Sequence, residues 1–186
     1  MSNNVLNSKV VTSRVRFSYV NVFEPKSIND SAPKYSVSLI IPKSDTQTIK
    51  NIQNAIEAAY KIGEAKLKGN GRTAPALAAM KTPLRDGDME RPDDETYANS
   101  YFVNATAKSK PGVVDRNLND IIDPDELYSG CYGRASINFY AFNSNGNKGI
   151  ACGLNNLQKL EDGVPLGSRS SAASDFATAD DADFLA

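Results

Sequence analysis

The chain has no histidine, no tryptophan, two cysteines and three methionines in 186 residues. Without histidine it lacks the commonest general base, the usual partner of a nucleophile and the imidazole ligand of most zinc centres. That weighs against an enzyme and leaves no metal or cofactor set to nominate. Cys131 and Cys152 are too few for a disulfide framework. Both sit in apolar, strand-like stretches and read as reduced core thiols. No apolar run nears the roughly 20 residues that span a bilayer, so no membrane partner is expected. The opening MSNNVLNSKV lacks the basic start and apolar stretch of an export signal, which points to a chain that stays in the cytoplasm.

With 40% hydrophobic and 23% charged residues, the composition is that of a globular protein. A body of this length buries roughly 70% of its unfolded surface and needs no covalent staple. The net charge of −1 is unevenly spread. Four of the 22 acidic residues (Asp175, Asp180, Asp181 and Asp183) fall in the last 13, with no base among them. Residues 1–173 therefore hold 18 acidic against 21 basic residues, a net of +3. A basic body with an acidic end suits a polyanion binder.

Periodicity gives a mainly β protein with one long helix. VVTSRVRFSYVNVF, 10–23, alternates as a strand, with Val11, Val15, Phe17 and Tyr19 on one face and Thr12, Arg14, Arg16 and Ser18 on the other. YSVSLIIP, 35–42, is a second strand that places Tyr35, Val37, Leu39 and Ile41 together. The spacing of Ile49, Ile52, Ile56 and Ala59 predicts a helix over 43–69, capped by Ser44 or Asp45 and stopped by Gly69. Residues 69–99 read as irregular, and their acidic block RDGDMERPDDE as a solvated loop. Its carboxylates do not match the twelve-residue calcium loop. A strand and basic turn follow over 100–115, then a hairpin over 131–154 turning at Asn-Ser-Asn-Gly-Asn, then a short helix or turn at 155–163. From residue 166 the composition is Gly/Ser/Ala-rich, so the domain is expected to be 1–165, with a flexible linker and acidic tail over 166–186. Two strands, a helix, then more strands and a hairpin fit a Greek-key β-barrel of the OB type, with an α+β sandwich as the alternative.

The strand CYGRASINFYAF, 131–142, carries the functional argument. Its odd positions, Cys131 to Ala141, are apolar or small and face inward. Its even positions are Tyr132, Arg134, Ser136, Asn138, Tyr140 and Phe142. A plain solvated face would carry Lys, Glu and Thr; this one carries three rings and an arginine. Rings stack bases and cations follow phosphates, which is the chemistry of single-stranded nucleic acid binding. Arg14 and Arg16 add to the surface from the first strand, and Phe102, Lys108 and Lys110 from the segment 100–110. The tail then has a use. Asp180, Asp181, Asp183 and Phe184 would compete for the basic groove and, once displaced, dock protein partners. Rival readings are a magnesium nuclease on the 86–95 carboxylates, a strand-annealing mediator and an acidic-tailed virion protein. A homodimer is compatible with the sequence.

YSVSLIIPKSD, RDGDMERPDDETYANSYFVNA, SGCYGRASINFYAFNSNGNKGIACGLNNLQK and the acidic end together resemble a family of tailed-bacteriophage single-stranded DNA-binding proteins with an OB fold. The resemblance covers roughly residues 9–165. It implies a role in phage DNA replication or recombination in the bacterial host cytoplasm, with DNA on the aromatic and basic barrel face. Leu185 and Ala186 follow Phe184, whereas the family pattern of acidic tails ends on the Phe itself.

Overall fold

The structure, a computed structural model, describes residues 7–27, 31–144 and 146–166. Eight strands occur among them: β1 (Lys9–Val11), β2 (Val15–Lys26), β3 (Lys34–Pro42), β4 (Leu84–Asp86), β5 (Ser100–Ala107), β6 (Gly112–Val114), β7 (Tyr132–Ser144) and β8 (Asn147–Glu161). Three helices, α1 (Thr46–Ile62), α2 (Glu64–Lys68) and α3 (Gly87–Glu90), and 3-10 turns at Leu77–Ala79 and Glu95–Tyr97 complete it.

The sheet runs β1-β7-β2-β3-β5-β8-β6, and β7 also pairs with β8 along its whole length. That second pairing closes β2, β3, β5, β8 and β7 into a five-stranded ring. One contact of the ring, β5 with β8 at Thr106 and Gly153, is parallel and the others are antiparallel. This closure is the OB-type barrel expected from the element order, and it removes the free edges of an open sheet.

The ring's inner face is filled by Phe17, Val37, Leu39, Val103, Ile137 and Phe139, each at most 2% exposed. The odd positions of β7 from Gly133 to Ala141 are buried, as the alternation requires. α1 lays Ile49, Ile52, Ile56 and Ala59 against this core, and Asp45 caps it by accepting from the Thr48 N–H at 3.2 Å. Residues 43–69 are nevertheless two helices. Gly63 interrupts them where the chain passes Ala141, and a Cβ there would lie 2.3 Å from the Ala141 Cβ.

Three other expectations are corrected. The stretch 10–23 is not one strand. Thr12 is buried and its hydroxyl accepts from Ala135 N–H, so the chain kinks over Thr12–Arg14 and turns Val11 outward. A second irregularity follows at Tyr19. Ser18 and Asn21 pair with Ser38 and Ser36, so three steps on β2 span two on β3. Tyr19 takes φ +47° in this bulge and turns out to solvent, away from the inward face the alternation assigned it. A side chain there costs roughly 1–3 kcal/mol relative to an unstrained residue. The third correction concerns 155–163, which continues β8 as strand to Glu161. Leu154 and Leu157 look helical at a spacing of three, but a bulge between the Ser136–Asn156 and Ile137–Leu154 pairs points both inward.

Residues 69–99 are also more structured than the loop expected. β4 pairs with β5, and α3 and the turn at 95–97 fold over the outer face of the barrel. The segment 166–186 lies outside the described residues except for Leu166, whose N–H donates to Ser129 O at 2.9 Å.

Candidate nucleic-acid interface

Strand register builds the outer face in rows. Tyr132, Arg16, Ile40, Phe102 and Arg85 are successive Cα partners across β7, β2, β3, β5 and β4. At one end of this row the expected ring and cations come together. The Arg14 guanidinium lies 4.4 Å from the centroid of the Tyr132 ring and that of Arg16 lies 5.4 Å from it. Arg16 is fixed by donating from Nε to Gly130 O at 3.1 Å and from Nη2 to Val164 O at 2.8 Å. Arg14 pairs with Glu161 at 2.9 Å, but both side chains are about half exposed, so water screens the pair and an anion can replace it. Arg134 is exposed two residues along β7 and donates from Nε to Thr12 O at 3.1 Å.

A groove of about 230 Å³ runs beside this cluster, lined by Arg14, Arg16, Ile40, Pro42, Thr96 and Tyr132. A guanidinium stacked on a ring presents a flat cationic surface, on which a base can lie while its remaining N–H groups reach phosphate oxygens.

The other expected residues are spread out. Tyr140 is exposed opposite Ala151, and Phe142 is half-buried opposite Gly149. A Cβ on Gly149 would come within 2.9 Å of the Phe142 ring, so the glycine makes room for it. These rings lie eight and ten residues from Tyr132, roughly 26 and 33 Å along the strand at 3.3 Å per residue. Lys108 and Lys110 are exposed in the β5–β6 turn, and Lys110 Nζ lies 5.7 Å from the centroid of the Phe23 ring.

Phe102 is a correction. It was expected on the open face with the stacking rings, but it is 2% exposed. Its parity is outward, as the alternation requires. The segment 84–100 folds over that face and puts Tyr97 against it, ring centroids 5.0 Å apart and edge-on at 77°. With Ile40 they make a small core separate from the barrel interior.

The acidic block holds this covering segment in place. Lys43 Nζ lies 2.9 Å from Asp86 and 2.7 Å from Asp88. Hydrogen bonds to Asp88 and then Asp86 raise the Lys43 ammonium well above the usual lysine range. The hydrogen bond from Lys43, and then one from Asn99 N–H, hold the Asp88 carboxyl below its usual range. Asp94 caps the turn at 95–97 through Thr96 N–H at 3.0 Å. Asp86, Asp88 and Asp94 are thus committed to Lys43 and to backbone N–H groups. No group of three or more acidic, cysteine or histidine side chains suited to a cation occurs among the described residues.

The structure also places two residues here that periodicity did not nominate. Tyr19 reaches this face through the bulge, and Arg91 lies between Tyr19, Tyr97 and Phe102. Alternation misassigns Tyr19 because a bulge has no composition signature here, and Arg91 is hidden inside an acidic run. The expected partner contacts of Asp180, Asp181, Asp183 and Phe184 lie outside the described residues.

Comparison with known proteins gives a consistent set of relatives. The family described as Enterobacter phage Enc34, ssDNA-binding protein, matches residues 8–185. "Putative protein p50" of Acyrthosiphon pisum secondary endosymbiont phage 1 is 34% identical over 163 residues, covering 83% of this chain and 84% of that protein. The single-stranded DNA-binding protein from bacteriophage Enc34 in complex with ssDNA superposes with a TM-score of 0.71 at 25% identity, over 86% of this chain and 90% of that one. The gp2.5 single-stranded DNA-binding protein of bacteriophage T7 superposes with a TM-score of 0.60 at 14% identity, over 90% and 99%, a likeness of fold.

Proposed function

The chain belongs to the Enterobacter phage Enc34 ssDNA-binding protein family, and from that premise we propose that it coats single-stranded DNA, with little sequence preference, during phage DNA replication and recombination. It is a binding protein and not an enzyme. The observation that carries the reading is the stack of Arg14 and Arg16 on Tyr132, beside an open groove on the outer face of the closed barrel.

Tyr132 and its guanidiniums take bases at one end of β7, and Tyr140 and Phe142 take them at the other. Arg14, Arg16, Arg134, Lys108 and Lys110 meet phosphates. Phe102 has no stacking role, because its ring is covered. The body 1–165 binds DNA. The tail 166–186, through Asp180, Asp181, Asp183 and Phe184, competes for the same cations and docks replication proteins once DNA displaces it. The site of action is the cytoplasm of the bacterial host. No helix among the described residues is long and apolar enough to cross a membrane.

The test is fluorescence anisotropy of a labelled poly-dT oligonucleotide, titrated with the full chain and with a version ending at residue 173. Five phosphates neutralised give a log–log salt slope of about −3.5 at ~0.7 per phosphate. Binding tightens when the tail is removed. Salt-independent binding would remove the phosphate roles, and no binding by either version would remove the whole reading.

A further inference from the structure

Arg91 stands on three rings at once. Its guanidinium carbon is 4.8 Å from the centroid of Tyr97, 5.0 Å from that of Phe102 and 5.5 Å from that of Tyr19. Two of those rings are buried, and Tyr19 is 58% exposed. The Arg91 side chain makes no hydrogen bond and no ion pair among the described residues, although acidic residues surround it in sequence. Five donors in a fixed plane are thus positioned by apolar contacts and left without a partner.

Tyr19 is held there against its backbone preference. Its φ of +47° is one that glycine adopts freely and a tyrosine does not. The bulge is pinned from several sides. Val20 N–H donates to the Ser129 hydroxyl at 3.0 Å, Gly130 N–H to Phe17 O at 2.7 Å, and the Asn21 amide to Tyr19 O at 3.1 Å. A strained residue that presents an exposed ring, fixed by its surroundings, marks a functional position.

Tyr19 lines a groove of about 270 Å³ with Ser18, Asp94, Thr96, Tyr97, Ser129 and Leu166, and Arg91 stacks on two of its lining rings, Tyr19 and Tyr97. This groove shares Thr96 with the one beside Tyr132, so the two adjoin across β2. One end of the row already carries cations on a ring. The same pairing recurs about three residues along β2, roughly 10 Å away.

We infer that Tyr19 and Arg91 form a second nucleotide position in the binding face, taking a base on the exposed Tyr19 ring and the adjoining phosphate on the Arg91 guanidinium. The inference rests on the single-stranded DNA reading and extends it. The acidic block gains a purpose by it. Asp86 and Asp88, locked to Lys43, brace the wall that carries Arg91 to the groove. Asp94 commits one carboxylate oxygen to Thr96 N–H, and its charge in the groove keeps the phosphate on the Arg91 side.

The test compares wild type with Tyr19→Gly, Arg91→Ala, Arg91→Lys and the remote control Arg72→Ala. It uses poly-dT anisotropy at several salt concentrations, with Tm measured for each. Tyr19→Gly is the decisive variant, because glycine relieves the backbone and Tm does not fall, while affinity drops by about 5- to 150-fold, as losing one stacked base requires. Arg91→Ala weakens binding and flattens the salt slope by about 0.7. Arg91→Lys recovers the slope but not the full affinity, since an ammonium does not stack. Cross-linking of bromodeoxyuridine-substituted DNA to the wild-type chain, mapped by peptide mass spectrometry, gives an adduct at Tyr19. Wild type failing to bind poly-dT would sink the single-stranded DNA reading and this inference together. Wild type binding, with Tyr19→Gly within twofold of it and no adduct at Tyr19, would overturn this inference alone.

Discussion

Phe102→Ala separates a stacking ring from a structural one. Phe102 is 2% exposed and packs edge-on against Tyr97, beside Ile40 and beneath Arg91. Truncating a buried Phe to Ala costs about 3–5 kcal/mol, and an aromatic pair is worth about 0.5–1.5 kcal/mol of that. The cluster has only three buried members and borders a groove, so water and side chains can partly fill the space. That places the loss near the lower end, about 3 kcal/mol. With a urea m-value of about 2 kcal/mol/M, the midpoint falls by about 1.5 M at unchanged m. Equilibrium urea unfolding followed by far-UV circular dichroism measures it. Tyr132→Ala, with a half-buried ring on the open end of the same row, moves the midpoint far less and weakens poly-dT binding instead. If Phe102→Ala shifts the midpoint by less than about 0.5 M and yet weakens DNA binding as Tyr132→Ala does, Phe102 is a platform and the covering role assigned to 84–100 is wrong.

Three further outcomes follow from the packing and the charges. Gly63→Ala drives a methyl into Ala141 and lowers Tm, and Ala141→Gly in the same chain restores part of the loss; an unchanged Tm in the single variant would show that the helix can shift away. Burial pushes the thiols of both Cys131 and Cys152 up, so neither reacts quickly with a disulfide reagent at pH 8, and two thiols appear on denaturation. Asp88 has a lowered folded pKa, so its contribution is present above the usual carboxylate range and lost as pH falls through the folded value. Lys43 has a raised one, so its contribution is present below the usual lysine pKa and lost as pH rises through the folded value. Asp88→Asn therefore flattens the acid limb of the Tm–pH profile, and a limb identical to wild type would count against the brace.

The barrel was readable wherever one side of a strand meets the core and the other meets solvent. β7 is the clearest case, with every odd position buried from Cys131 to Ala141. Readability fails where a local event changes the count. The kink at Thr12 and the bulge at Tyr19 each shift parity by a residue, and neither carries a glycine or proline to announce it. The β8 bulge makes a strand look like a helical turn. The misplaced Phe102 is a failure of another kind. Its face was assigned correctly, but the segment 84–100 just before it folds back over that face, and alternation within one strand carries no information about what lands on top. Arg91 was missed for the converse reason. Its surroundings in sequence are acidic, while its surroundings in space are aromatic.

On the proposed reading, tolerance of base sequence follows from the small polar groups that form the open part of the outer face. Between the Tyr132–Arg16 row and the lysines of the β5–β6 turn, successive partners are Ser18, Ser38 and Asn104, then Asn21, Ser36 and Thr106. Ser18 and Ser38 are buried, and Ser38 accepts from the Tyr97 hydroxyl at 3.3 Å. What remains open is short, and each group donates or accepts with equal ease, so none can reject a base by leaving it unpaired. The cations instead sit on rings, where stacking and charge act on any nucleotide. On the proposed reading the floor spaces the strand while the aromatic–cation pairs at its margin hold it. Adding one committed donor to the floor, as in Thr106→Arg, would then introduce a base preference and raise affinity for all sequences through its charge. Equal gains on poly-dT and poly-dC, with no preference at any salt, would place the strand away from β5.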